Sequence, residues 1–117
     1  MTDARPPSAA PVHRGEIWWV NFDPTQGSEI GKTRQAVVLT ADALNRARRT
    51  VVVVPLSTGP SPRPPLVIAT PSAGESSVAV CDQIRAVDKR RLTRNEGRLS
   101  VADLRAIEDG LRRVLEL

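Results

Sequence analysis

Apolar residues in this chain come in short bursts separated by polar, Gly- or Pro-containing stretches, a spacing that predicts strands along most of the sequence. Residues 16–22 (Glu-Ile-Trp-Trp-Val-Asn-Phe) are dense in β-forming side chains and predict a strand ended by Asp23-Pro24. Residues 36–40 and 50–56 are continuous apolar runs, the pattern of strands covered on both faces. Residues 41–49 between them predict a short helical turn or loop. Pro55 lacks an N–H for a ladder, so it is expected at a strand end or bulge. Residues 66–70, 77–81 and 84–87 predict further short strands, and the Pro-rich residues 57–65 a stiff surface loop. The period changes only at the end of the chain. From Ser100, apolar Val101, Leu104, Ile107, Leu111, Val114 and Leu115 recur at helical spacing behind a Ser cap with Asp103 three residues on. Several short strands followed by one amphipathic helix predict a mostly β, α+β domain: a small antiparallel barrel capped by a C-terminal helix.

Composition narrows the function classes. The 117 residues suffice for one compact core. Residues 1–12, rich in Pro, Ala and Ser, predict a disordered tail outside that core, with the domain spanning 13–117. A lone cysteine, Cys81, excludes an internal disulfide and a multi-cysteine zinc site. No apolar stretch approaches a membrane span or a secretory signal, so the expected location is the cytoplasm, with no membrane partner. Seventeen Lys and Arg against thirteen Asp and Glu favour a polyanionic partner, nucleic acid first. With aromatics at 3%, phosphate and shape contacts would have to outweigh base stacking.

Several strings then carry a family resemblance: Arg14-Gly15-Glu16-Ile17-Trp18, Phe22-Asp23-Pro24, and Gly27-Ser28-Glu29 followed by Arg34. They continue with Ala36-Val37-Val38-Leu39, Val54-Pro55-Leu56-Ser57-Thr58, and the run from Asp82-Gln83 to Arg91-Leu92. In that order and spacing the chain resembles the MazF/PemK toxins. The resemblance implies an SH3-like barrel and a homodimer that cleaves single-stranded RNA at short sequences. It also implies that neither metal nor cofactor is needed, and that a co-expressed antitoxin with an acidic disordered tail silences the toxin. The family's catalytic Arg and Thr fall on Arg34 and Ser57. Ser57 replaces that Thr and keeps a hydroxyl able to donate to phosphate, and Gln35 stands where Pro usually follows the Arg, freeing the backbone at a hinge of the loop.

RNA carries its own nucleophile, so a metal-free ribonuclease needs a proton acceptor for the 2′-hydroxyl, stabilisation of the phosphorane charge, and a proton for the leaving 5′-oxygen. The products would be a 2′,3′-cyclic phosphate and a 5′-hydroxyl. Arg34, planar and permanently charged, suits the second role but not proton transfer. Ser57, with Thr58, would donate to the same phosphate, and Glu29 is the nearest acceptor in sequence. Gln26, Ser28, Asp82 and Gln83 are candidates for reading unstacked base edges, and the basic run Lys89, Arg90 and Arg91 for holding RNA phosphates. His13, at the edge of the tail, is not expected to act as the base. Trp18 and Trp19 must point to opposite faces of their strand. Two other functions compete: a gyrase-binding toxin resembling CcdB, against which the ending Val114-Leu115-Glu116-Leu117 lacks that group's terminal Trp, and a decayed barrel that binds RNA without cutting it.

Overall fold

The computed structural model describes residues 11–117. Seven strands and two helices follow in the order β1 (Glu16–Asn21), β2 (Thr33–Val38), α1 (Asp42–Ala47), β3 (Thr50–Ser57), β4 (Val67–Ala69), β5 (Val78–Val80), β6 (Arg85–Asp88), β7 (Leu92–Arg98) and α2 (Val101–Leu115). All strand pairs are antiparallel, and β7, β1, β2 and β3 lie side by side. The far edge of β3 is shared: β6 pairs with its first half, from Thr50 to Val53, and β5 with Leu56 and Ser57. β4 then pairs with β5. Pro55 therefore lies inside β3, not at its end, at the point where that edge changes partner and a missing donor costs least.

The continuous apolar runs are explained by two cores, one on each face of the central strands. Ala36, Val38, Val51 and Val53 face a cluster with Val12, Trp18, Val20, Phe22, Val87 and Leu92. Their neighbours Val37, Val54 and Leu56 face a second cluster with Ile17, Ile68, Ala79, Cys81, Leu99, Ile107 and Leu111, beneath α2. Val12 corrects the tail boundary: it is buried in the first cluster, because the chain must cross that end of the sheet to enter β1. Residues 1–10, the rest of the expected tail, lie outside the described residues.

α2 starts as its sequence predicts, with the Ser100 hydroxyl accepting from Asp103 N–H at 3.1 Å. Its buried stripe is narrower than the spacing implied: Ile107 and Leu111 are buried, whereas Val101 and Leu115 are exposed. Burying each of the two inner side chains contributes about 1.5–3 kcal/mol. Gly110 lies on the same inner face, where a Cβ would come within 3.1 Å of both Ile68 Cγ1 and the Pro65 carbonyl.

β7 was not anticipated. Its sequence, Leu-Thr-Arg-Asn-Glu-Gly-Arg, buries only Leu92, so it lacks the apolar alternation that marks a strand. It nevertheless forms the outer edge beside β1, the place where polar strands are tolerated.

Candidate active site

β2 begins at Thr33, three residues before its apolar run, so Arg34 and Gln35 belong to the strand rather than to the loop. Gln35 pairs with Trp19 of β1, and this corrects the expected hinge, since a ladder position is fixed by its neighbours whichever residue occupies it. Two residues beyond Ala36–Pro55, the last matched pair between β2 and β3, Arg34 and Ser57 occupy matching positions on those strands. Both residues are partly buried. They border a pocket of about 380 Å³ whose other walls include Trp19, Gln35, Thr58 and the segment from Ala73 to Ser77.

Two loops adjoin these strands. The first joins β1 to β2 and is closed at its base by Phe22 N–H on the Lys32 carbonyl at 2.9 Å and by Lys32 N–H on Asp23 Oδ1 at 2.8 Å. Lys32 is left-handed at φ 65°, a conformation that favours glycine. Gly31 is closely packed: a Cβ there would stand 2.7 Å from Asp23 Oδ1, the atom that accepts from Lys32 N–H. The Gly31 carbonyl in turn accepts from Arg34 Nε at 3.3 Å, which aims the guanidinium from the loop base.

At the tip of this loop, Glu29 Oε1 accepts from Gln26 N–H at 2.6 Å, and Glu29 N–H donates back to the Gln26 carbonyl at 3.1 Å. Glu29 is thus occupied in closing its own turn and does not line the pocket. Gln26 and Ser28 are exposed on the same tip. Gln83 Oε1 accepts from Ile30 N–H at 3.4 Å and latches the loop to the turn Cys81–Gln83, on which Asp82 is exposed. None of these four candidates lines the pocket.

The basic run follows β6. Lys89 Nζ donates to the Asn45 carbonyl of α1, and Arg90 is paired with Asp88 at 3.1 Å. Asp88 faces Thr50, at the opposite end of β3 from Ser57, whereas Leu92, just after the run, pairs with Val20, whose other neighbour is Arg34. Neither Lys89 nor Arg90 lines the pocket. Arg91 likewise donates to the carbonyls of Asn21 and Asp23.

Sequence reasoning passed over several pocket residues. Trp18 is buried in the core, but Trp19 is partly buried and lines the pocket. Its indole N–H donates to Glu96 at 2.6 Å, and the Arg94 guanidinium lies 5.8 Å from the ring centre while pairing with Glu96 at 2.7 Å. The indole hydrogen bond, followed by Arg94, holds the Glu96 carboxyl below its usual range. The alternation of the two tryptophans was legible in sequence, but which one faced a site was not.

The second loop, between β4 and β5, lines the pocket from Ala73 to Ser77. It is rigid at its base: Thr70 N–H donates to the Ser77 carbonyl at 2.9 Å, and their buried hydroxyls lie 3.0 Å apart. Ser72 N–H donates 2.8 Å to the buried Asp103 carboxylate of α2, and the Ser72 hydroxyl donates to it too. Gly74 takes φ 149° and ψ 147°, a region open essentially to glycine alone. Among the described residues no three His, Cys, Asp or Glu side chains gather as a metal site would require.

A guanidinium and a hydroxyl carried on neighbouring strands at the border of an open groove are suited to gripping a phosphodiester. The profile of the PemK-like, MazF-like toxins of type II toxin-antitoxin systems matches residues 13–115, and the chain belongs to that family. It is 35% identical to Endoribonuclease MazF9 of Mycobacterium tuberculosis over 115 residues, covering 91% of this chain and 98% of that one. To Endoribonuclease PemK of Escherichia coli it is 37% identical over 83 residues, 68% of this chain and 62% of that protein. In three dimensions it is similar to MazF (Form-I) from Deinococcus radiodurans, with a TM-score of 0.80 at 26% identity over 91% of this chain and 97% of the other.

Proposed function

We propose that this chain is the toxin of a toxin-antitoxin pair and acts in the cytoplasm as a sequence-selective, metal-independent endoribonuclease on single-stranded RNA. The observation that carries the reading is the convergence of Arg34 and Ser57, from two strands, on one open pocket. The names of its relatives support the same activity.

In the proposed reaction the scissile phosphate lies between Arg34 and Ser57. The guanidinium holds two non-bridging oxygens and offsets the charge that develops as the 2′-oxygen attacks phosphorus. The Ser57 hydroxyl, which accepts only a long 3.4 Å contact from Gly59 N–H, donates to the same oxygens, assisted by Thr58. Attack closes the 2′,3′-cyclic phosphate and releases a 5′-hydroxyl. Trp19 supplies a ring on which a neighbouring base stacks, and Gln26, Ser28, Asp82 and Gln83 read base edges from the flanking loop and turn. Glu29 contributes by holding the loop tip in shape. A homodimer and an antitoxin with an acidic tail complete the reading; the tail competes with RNA for the groove that Arg34 marks.

The reading is tested by incubating the purified chain with a long synthetic RNA in excess EDTA and mapping the fragment ends. Cuts at one recurring short sequence, bearing cyclic phosphates and 5′-hydroxyls, are expected. RNA left intact by folded protein would overturn the reading, and breaks in DNA that depend on added gyrase would replace it with the gyrase-binding alternative.

A further inference from the structure

Strand alternation turns the side chains of Arg34 and Ser57 to one face of the sheet. Arg34 shares its side of β2 with Ala36 and Val38, and Ser57 shares its side of β3 with Val51 and Val53, all four in the first core cluster. Arg85 of β6 takes the same face. It pairs with Val53, and Val87, two residues on, is buried in that cluster, whereas its neighbour Ile84 packs against the second. We propose that Arg85 holds an RNA phosphate next to the one gripped by Arg34 and Ser57, an inference that rests on the ribonuclease reading.

Two contacts bring Arg85 to the surroundings of Arg34. Its guanidinium lies 5.4 Å from the centre of the Phe22 ring. Phe22 stands two residues beyond Val20, the direct partner of Arg34, and Val20 and Phe22 share the first cluster. Diagonal neighbours of this kind are about 7–8 Å apart, within reach of long side chains. The β1–β2 loop supplies the second link. Its Gly31 carbonyl accepts from Arg34 Nε at 3.3 Å, while Ile30 N–H donates to Gln83 Oε1 at 3.4 Å, two residues before Arg85. Both arginines therefore border one ring and one loop.

Arg85 is placed to bind as well as to pack. Among the described residues its half-buried guanidinium makes no side-chain hydrogen bond or ion pair, and none of its nitrogens is shut off from solvent. The arginines that follow it are occupied: Arg90 pairs with Asp88, and Arg91 donates to the carbonyls of Asn21 and Asp23. Phe22 is wholly buried, so its ring is a fixed support. A ring face holds a guanidinium by its flat side and leaves the N–H edge for phosphate oxygens. Two such edges on one rim suit successive phosphates of a single strand.

The test measures binding of an RNA carrying a 2′-deoxy nucleotide at the cut site, across a range of salt, by the wild type, Arg85→Gln and Arg85→Lys. Each phosphate neutralised on a single strand contributes about 0.7 to the slope of log affinity against log salt. Arg85→Gln should lower that slope by about 0.7 and weaken binding roughly tenfold at low salt. Arg85→Lys should restore the slope. In single-turnover cleavage the Gln variant should need more RNA for half-saturation, with its saturated rate within about threefold of the wild type. A mere brace for Phe22 would reduce the folded fraction and leave the slope at its wild-type value, and an unchanged slope overturns the proposal. So does a loss confined to the saturated rate, which would put Arg85 on the reacting phosphate. If the wild type cuts RNA alongside either result, the ribonuclease reading stands without this inference; a wild type that neither binds nor cuts RNA removes both.

Discussion

Arg34 and Ser57 each lie two residues beyond Ala36 and Pro55, the last matched pair between β2 and β3. A two-residue step keeps both on the face of that pair, opposite to Trp19, Gln35 and Leu56. The loop between β1 and β2 then adds aim to Arg34 through the Gly31 carbonyl. Side chains carried on strands are held more firmly than side chains on loops alone.

The Trp19–Glu96 contact predicts a pH signature beside the pocket. Because the Glu96 carboxyl sits below its ordinary value of 4.5, its contribution to the fold is complete above that pH and is lost as pH falls through its lowered folded value. Tryptophan fluorescence should therefore change below pH 4.5 as the indole loses its carboxylate partner. In Glu96→Gln that acid transition should vanish; an identical titration in the variant would show that the indole does not sense Glu96.

Asp103 couples α2 to the pocket wall, since it takes both donors of Ser72 while buried. Replacing it with Ala leaves those donors unpaired and should lower stability by about 2 kcal/mol. Urea denaturation measures this directly. An unchanged urea midpoint would mean that the wall is held by other contacts.

Gly110 should resist substitution although it lies within a helix. Ala normally gains about 1 kcal/mol over Gly there. Here the added methyl meets Ile68, the Pro65 carbonyl and Cys81 Sγ at 3.1, 3.1 and 3.3 Å, and the carbonyl is backbone that cannot swing aside. Overpacking costs about 1–3 kcal/mol, so Gly110→Ala should lower the melting temperature. A rise would show that α2 shifts outward freely.

Cys81 lies in the core beneath α2, where burial pushes its thiol up to about 11. Thiol reagents should label it in native protein only as fast as the domain opens, and immediately in denaturant. The same shift gives a term that is complete below the ordinary value of 9.0 and fades as pH rises towards about 11. Rapid labelling at pH 8 without unfolding would contradict this burial.

Wherever burial leaves a repeating mark, the fold was legible in sequence. The runs around Val37 and Val53 announced strands covered on both sides, and Ser100 with Ile107 and Leu111 announced α2. β7 left no such mark, because an edge strand that buries only Leu92 satisfies its backbone without an apolar face. Arg34, Ser57 and Thr58 were candidates from their matched strings, and all three border one pocket. The part of that pocket formed by Trp19 and the β4–β5 loop was not legible, because it depends on tertiary wrapping: the loop comes from a distant hairpin, and Trp19 is decided by which face of β1 the pocket adjoins.

The most direct test of the account compares single-turnover cleavage of a short RNA containing the mapped site by wild type, Arg34→Ala and Ser57→Ala, with binding to a 2′-deoxy version measured in parallel. Losing one oriented donor to a developing oxyanion costs about 3–4 kcal/mol. Each variant should therefore cleave roughly 100- to 1,000-fold more slowly while binding the uncleavable RNA far less impaired than that. Cleavage by both variants at near wild-type rates would contradict the claim that these two strand ends form the catalytic centre.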